Sequence, residues 1–427
     1  MSILTLTSTN PLFSHIIQKN PATIRDSEKP FQRDLRRGRL YGWYLDGDQA
    51  FRLWFKDHPT ETSFAGGARG DFEYLDKTRY SSPYLPLCII QESLATAQKG
   101  QEHDVTGYVA TVSTTIHTPA YRQLEIMIKH YSSVATVTLE PVAFGYQKVT
   151  VTSDTVKKVL NILQVLCLMQ SLRDDDVDLR MNTGAITKYS NLLNRSEAPY
   201  YVRYLFASRC ISEKGLFSKV RAELQGPGMT MFWGDTQRQR FECIKKQLTG
   251  GYFLVDIGCG DLYYSKRLSG KYTDVLAIEA DEELNATNVR KAKHDLKNVS
   301  CQNLQVTGDW VREDNGVTLS NAHVLMTEVM EHMPKEDAGD LLKALLEVSS
   351  AARIVVTVPN HSFNVNYGLQ DCSRHPDHHY EPTFEEWCDY TVTLAAEHGW
   401  AVENSPIGDV VDDQSVSTMT VFTNKVD

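Results

Sequence analysis

Apolar positions at helical spacing run through TVKKVLNILQVLCLMQSL (155–172) and predict a long buried helix. SEKGLFSKVRAELQ and PYLPLCIIQESLATAQ predict two more helices in the same half of the chain. SILTLTST, RLYGWYLD and SSVATVTLEPVAF read as strands, so this half is expected to be α+β. LQGPGMT (224–230) interrupts the pattern, because Gly-Pro-Gly supports no regular element. Beyond it, TQRQRFECIKKQL predicts a helix, and short apolar runs follow in YFLVDIG, DVLAIEA, VSCQNLQVTG, AHVLMTEV and ARIVVTVPN. Helical stretches separate these runs, one of them over 282–296. Apolar strands alternating with helices indicate a parallel sheet covered on both faces. The expected fold is an α+β N-terminal domain over 1–225, then an α/β domain over 230–427 that is Rossmann-like, doubly wound and mostly parallel. A chain of 427 residues is long enough for two cores.

Composition narrows the setting. The content of 41% apolar and 23% charged residues is that of a globular protein. No apolar run approaches a membrane span, and the first residues lack the basic and apolar regions of a signal peptide, so no membrane association is expected. Eight scattered cysteines without a Cys-x-x-Cys pair argue for a reducing, cytoplasmic compartment and against a structural zinc module. A net charge of −10 excludes coating of long nucleic acid but permits a local hold, for instance on an end. FQRDLRRGRLYGWY (31–44) groups Arg33, Arg36, Arg37 and Arg39 with aromatics; it reads first as a solvated turn before a strand, and second as a phosphate contact.

Candidate chemistry sits in the second half. In VDIGCGD (255–261), Gly258 and Gly260 allow a tight turn between strand and helix. Tyr263 stands where a dinucleotide fingerprint requires a third glycine, which excludes an NAD oxidoreductase. The form D-x-G-x-G, with Asp256 first, resembles the opening motif of class I S-adenosylmethionine-dependent methyltransferases. Glu279, at the end of the next strand, suits the ribose hydroxyls of a cofactor, and Asp309 in TGDW resembles the residue that meets the adenine. TEVMEHMP (327–334) then places Glu328, Glu331 and His332 at i, i+3 and i+4, a spacing that brings them to one face of a helical turn. By itself E-V-x-E-H also resembles a motif of metal-independent small-molecule methyltransferases. Downstream, SRHPDHHYE (373–381) adds His375, His378 and His379 around Asp377, and five of the 13 histidines fall between positions 332 and 379. Carboxylates with imidazoles form a mixed O/N donor set suited to a divalent transition metal.

EVMEH (328–332), VPNHSFN (358–364) and RHPDHHYEPT (374–383) together resemble the bacterial HEN-type RNA 3′-terminal ribose 2′-O-methyltransferases, an RNA repair family. PIGDVVDDQSVSTMTVF (406–422) is similar to the family's closing strands. The resemblance implies S-adenosylmethionine as cofactor and Glu328, Glu331, His332 and His378 as metal ligands. The implied ion is manganese, with magnesium or cobalt as alternatives. It implies the 3′ end of an RNA as substrate, its terminal vicinal diol restricting the reaction to an end. His375 or His379 is then the proton acceptor or an orienting residue, and Glu331 belongs to the catalytic centre. Phe363 and Tyr380 read equally as base-stacking or core residues. Ser362, Pro382 and Phe384 depart from the family pattern near the RNA end. YLDKTRYSSPYLPLCIIQESLATA (74–97) carries a looser likeness in the first half. In the family that half is associated with activating an RNA ligase, part of a kinase–phosphatase–ligase complex. Two other readings stay open: a metal-independent methyltransferase of small molecules, and an assembly subunit whose main task is ligase activation.

Overall fold

The computed structural model describes residues 2–26, 30–35, 38–45, 47–57, 82–143, 145–174, 183–313, 319–348, 350–369 and 372–425. Arg36, Arg37 and residues 74–81 of the stretch that carries the first-half likeness lie outside them. The chain forms two compact units, Met1–Gly226 and Pro227–Asp427.

The first unit is built on one antiparallel sheet of seven strands, in the order β2-β3-β4-β1-β5-β7-β6. The strands are β1 (Ser2–Ser8), β2 (Phe31–Leu35), β3 (Gly38–Tyr44), β4 (Ala50–Asp57), β5 (Ala110–His117), β6 (Thr136–Ala143) and β7 (Tyr146–Ser153). Leu4, Leu6, Phe51, Leu53, Val112, Ile116, Val149 and Val151 are all buried and alternate with more exposed neighbours, as a sheet covered on one face requires. The cover includes α1 (Tyr84–Ser93) and the central helix α2 (Val156–Arg173), which is buried almost all round and capped by Thr155. Three strands, β4, β5 and β7, have no counterpart in the sequence reading. In β5 and β7 the positions between core residues hold mostly Thr, Ser and Lys, so the alternation is weak; β4 (AFRLWFKD) alternates Phe51, Leu53 and Phe55 with Arg52, Trp54 and Lys56, a readable strand pattern that sequence reasoning missed. The run 83–98, expected as one helix, is two: Leu94 closes α1, and a second helix starts at Ala95. The arginine-rich stretch is a hairpin of β2 and β3, correcting the expected turn. Arg33 donates to the Glu92 carbonyl, and Arg39 pairs with Asp34 at 2.5 Å.

The second unit has an eight-stranded sheet in the order β11-β10-β9-β12-β13-β15-β14-β8. Its strands are β8 (Met229–Thr230), β9 (Gly251–Ile257), β10 (Tyr272–Glu279), β11 (Val299–Asn303), β12 (His323–Thr327), β13 (Arg353–Pro359), β14 (Ala401–Val411) and β15 (Gln414–Thr423). Strands β9 to β13 pair in parallel, while β15, β14 and β8 join antiparallel. Helices α3 (Thr236–Gln247), α4 (Tyr263–Leu268) and α5 (Glu282–Asp295) contribute Ile244, Leu268 and Ala292 to one core cluster. The helices α6 (Gly308–Arg312), α7 (Lys335–Val348) and α8 (Phe384–His398) contribute Val311, Leu341, Leu345 and Trp387 to another. This is the expected doubly wound, mostly parallel, Rossmann-like fold. Strand order reverses between β9 and β12, and the crevice at such a switch point is where open α/β sheets hold ligands.

Candidate active site

The loop after β9 turns back at once. The amides of Gly258 and Cys259 both donate to the Ile278 carbonyl, at 2.9 and 3.0 Å. Gly258 has φ 68°, and a Cβ there would meet Val329 Cγ2 at 2.5 Å, so a side chain is excluded both by conformation and by space. Glu279 ends β10 and braces the loop: it accepts from the Gly260 amide at 2.9 Å and the Asp281 amide at 3.0 Å. Each of its oxygens keeps lone-pair capacity beyond these bonds. Asp256 is fully buried under the loop and accepts from Ser265 Oγ at 2.5 Å; burial pushes its carboxyl up to about 7. Asp309 lies in α6 with its side chain 88% exposed, 3.8 Å from Arg312.

Across the switch point, β12 delivers the acidic turn. Glu328 stands in the left-handed region at φ 53°, and only Met330–His332 makes a 3₁₀ turn. The three side chains therefore do not share a helical face as their spacing suggested. Glu328 accepts from Thr357 Oγ1 at 3.1 Å and pairs with Arg240 at 3.3 Å. Arg240 reaches it from α3 and also touches the Tyr264 hydroxyl at 3.4 Å. Burial works against the Arg240 charge, but Glu328 and Tyr264 outweigh it and hold its pKa above the usual value.

Glu331 is 1% exposed, and neither carboxylate oxygen has a hydrogen-bond partner. Burial first, and then the Glu328 charge, hold its pKa well above the carboxylate range. The downstream histidine segment closes over it. The Glu331 carbonyl accepts the His379 amide at 2.7 Å. Glu331, His332 and His378 each offer a ligand atom, and these atoms lie within 4.8 Å of one another. Glu328 stands outside that group of three.

Both imidazoles are fixed by carboxylates behind them. His332 Nδ1 faces Asp377 at 3.1 Å, and His378 Nδ1 bonds Glu381, which leaves Nε2 of each ring for an ion. Burial and the neighbouring His378 and His375 rings lower the His332 pKa, favouring the neutral ligand form. Glu381 is itself anchored by Asn364 and by the Arg374 amide at 2.7 Å. Burial opposes its charge, yet these bonds and His378 hold its carboxyl below the usual range. Arg374 in turn donates to the carbonyls of Asn360 and Val416, each at 2.6 Å. The donor set thus fits a divalent cation: a bare buried carboxylate beside two oriented imidazoles.

His375, paired with Asp377, and His379 are exposed at the rim. Phe363 is fully buried against Tyr367 and is a core residue; Tyr380 packs partly against the α7–α8 core. Sequence reasoning missed Arg240 and Thr357, which lie far from the motifs they support and belong to no local pattern.

The profile of the Hen1 N-terminal domain matches residues 3–227. No curated protein matches the chain. The chain is similar to a solved structure described as the Pnkp1/Rnl/Hen1 RNA repair complex. Identity is 20%, coverage is 99% of this chain and 100% of that one, and the TM-score is 0.79. A second structure of a Pnkp1/Rnl/Hen1 complex matches at 22% identity over 99% of this chain and 100% of that one, with a TM-score of 0.79.

Proposed function

This chain belongs to the Hen1 N-terminal domain family, and on that premise we propose that it methylates the 2′-hydroxyl of the 3′-terminal ribose of an RNA. S-Adenosylmethionine is the donor and a divalent metal the cofactor, manganese before magnesium or cobalt. The observation that carries the reading is Glu331: a buried carboxylate with no partner, beside two imidazoles whose other nitrogens are already held. A small-molecule methyltransferase without metal leaves that carboxylate unexplained.

Glu331, His332 and His378 would hold the ion, with Glu328 as fourth ligand once it turns from Arg240. An ion there supplies a Lewis acid that lowers the pKa of a ribose hydroxyl. Asp256, Gly258, Gly260 and Glu279 seat the cofactor, with Asp309 toward its adenine. Bound there, the cofactor would supply its sulfonium methyl to the 2′-oxygen with the thioether as leaving group, and His375 or His379 would accept the proton or orient a ligand. The terminal diol makes the reaction specific for an end. The N-terminal unit, in this reading, docks a kinase–phosphatase and RNA ligase and supports ligation.

The test is transfer of labelled methyl to a synthetic RNA ending in a 3′-hydroxyl or a 3′-phosphate, with manganese or with EDTA. Methylation of the 3′-hydroxyl RNA alone, and only with metal, is expected. Glu331→Ala and His378→Ala should each lose that activity while binding S-adenosylmethionine as the parent does. Activity persisting in EDTA, or equal on both ends, would overturn the proposal.

A further inference from the structure

Next to the site lies a row of aromatic and cationic side chains that the reaction does not use. The Arg238 guanidinium sits over Trp233, 5.8 Å from the ring centre. Arg267 lies 3.5 Å from the Tyr263 ring centre and donates to the Tyr263 carbonyl at 2.9 Å. Both arginines are exposed, and both rest on rings rather than on carboxylates. Two acidic residues are near Tyr263, but Asp235 caps α3 and Glu242 pairs with Lys245 at 2.5 Å.

The row is built into the fold. Gln239, 5% exposed, donates to the carbonyls of Phe232 at 3.1 Å and Gly234 at 2.9 Å, and to Asp409 at 3.0 Å. The Phe232 amide is tied to the same Asp409 carboxylate at 2.7 Å. The loop that carries Trp233 is thereby pinned to β14. At its other end the row meets the site: Tyr263 packs on Tyr264 with centroids 5.1 Å apart, and Tyr264 leads through Arg240 to Glu328.

A chain with a net charge of −10 that keeps two ring-stacked guanidiniums beside its site is matched to a polyanion with flat faces. Single-stranded nucleic acid has both properties: phosphates meet the arginines, and bases stack on rings or on guanidinium planes. An acidic peptide would use the charges and leave Trp233 and Tyr263 idle. We propose that Trp233, Arg238, Tyr263 and Arg267 form the track for the RNA strand immediately upstream of its 3′-terminal nucleotide. The proposal rests on the function given above and names where its substrate runs.

The full chain is titrated with labelled RNAs of about three and about twelve nucleotides at several salt concentrations, and KM and kcat are measured on both. Arg238→Ala and Arg267→Ala should each weaken the longer RNA about tenfold and lower its salt slope by about one. The loss should appear in KM rather than kcat, and only on the longer RNA. Arg267→Lys should keep the salt slope and still lose affinity, because an ammonium does not stack as a guanidinium does. Variants that bind the longer RNA like the parent overturn the track. So does loss of a protein partner with RNA binding unchanged, which would assign the surface to that partner. A parent chain that binds the longer RNA without methylating it counts against the function alone; one that binds no RNA overturns both.

Discussion

Asp256 and Glu331 are both carboxyls cut off from solvent, but the first has the Ser265 hydroxyl to lean on and the second has nothing. The difference assigns them different work. Asp256 is a strut under the loop after β9, and its cost shows in pH. Its folded-state pKa is raised, from 3.8 to about 7, so the stability it contributes is complete below the lower value and is lost as pH rises through the upper one. The melting temperature of the ligand-free protein should fall between pH 4 and 7, and Asp256→Asn should flatten that slope. Melts at stepped pH decide it; equal slopes would show that Asp256 is not the group responsible. Glu331 is poised for a positive charge instead. Manganese should raise the melting temperature of the parent protein and leave Glu331→Ala almost unmoved, a reading that needs no turnover. Both carboxyls were visible in the sequence because each sits inside a short motif. Arg240 and Thr357 were not, since only the fold brings α3 and β13 against the end of β12.

Among the elements, the loop after β9 is tightly constrained at Gly258. Gly258→Ala adds a Cβ against Val329 at φ 68°, whereas a Cβ at Gly260 meets nothing within 4 Å. Gly258→Ala should therefore cost more than about 1 kcal/mol of stability, and clearly more than Gly260→Ala, in denaturant unfolding. If the two variants lose the same amount, contact with Val329 is not what forbids a side chain. Strands β9, β10, β12 and β13 were legible because burial on both faces makes much of each an apolar run. In the first half, β5 spends alternate positions on Thr and Ser, and such a pattern competes poorly with loop composition. The acidic turn was legible as chemistry but not as geometry. Spacing suggested a helical face, while the left-handed backbone at Glu328 turns that side chain to Arg240 and Thr357.

At the scale of the whole molecule, the chain divides into two units, each with its own sheet. Units of this kind ordinarily fold alone. Residues 227–427 made separately should retain methyl transfer, and residues 1–226 should retain any support of a ligase; the two assays, run on the halves and on the full chain, check both. If neither half is active and the full chain is, the functions are joined across the division. The break was legible because Gly-Pro-Gly marks it. The kinase–phosphatase and ligase partners were expected through the family resemblance alone, because docking surfaces carry no fixed residue pattern. Within the second unit, the acidic turn and the histidine segment are fastened by the peptide group of Glu331 and the amide of His379, a bond that no side chain supplies. Mutation can therefore exchange the side chains at 331, 332 and 378 while the backbone bond that aligns the two segments stays standing.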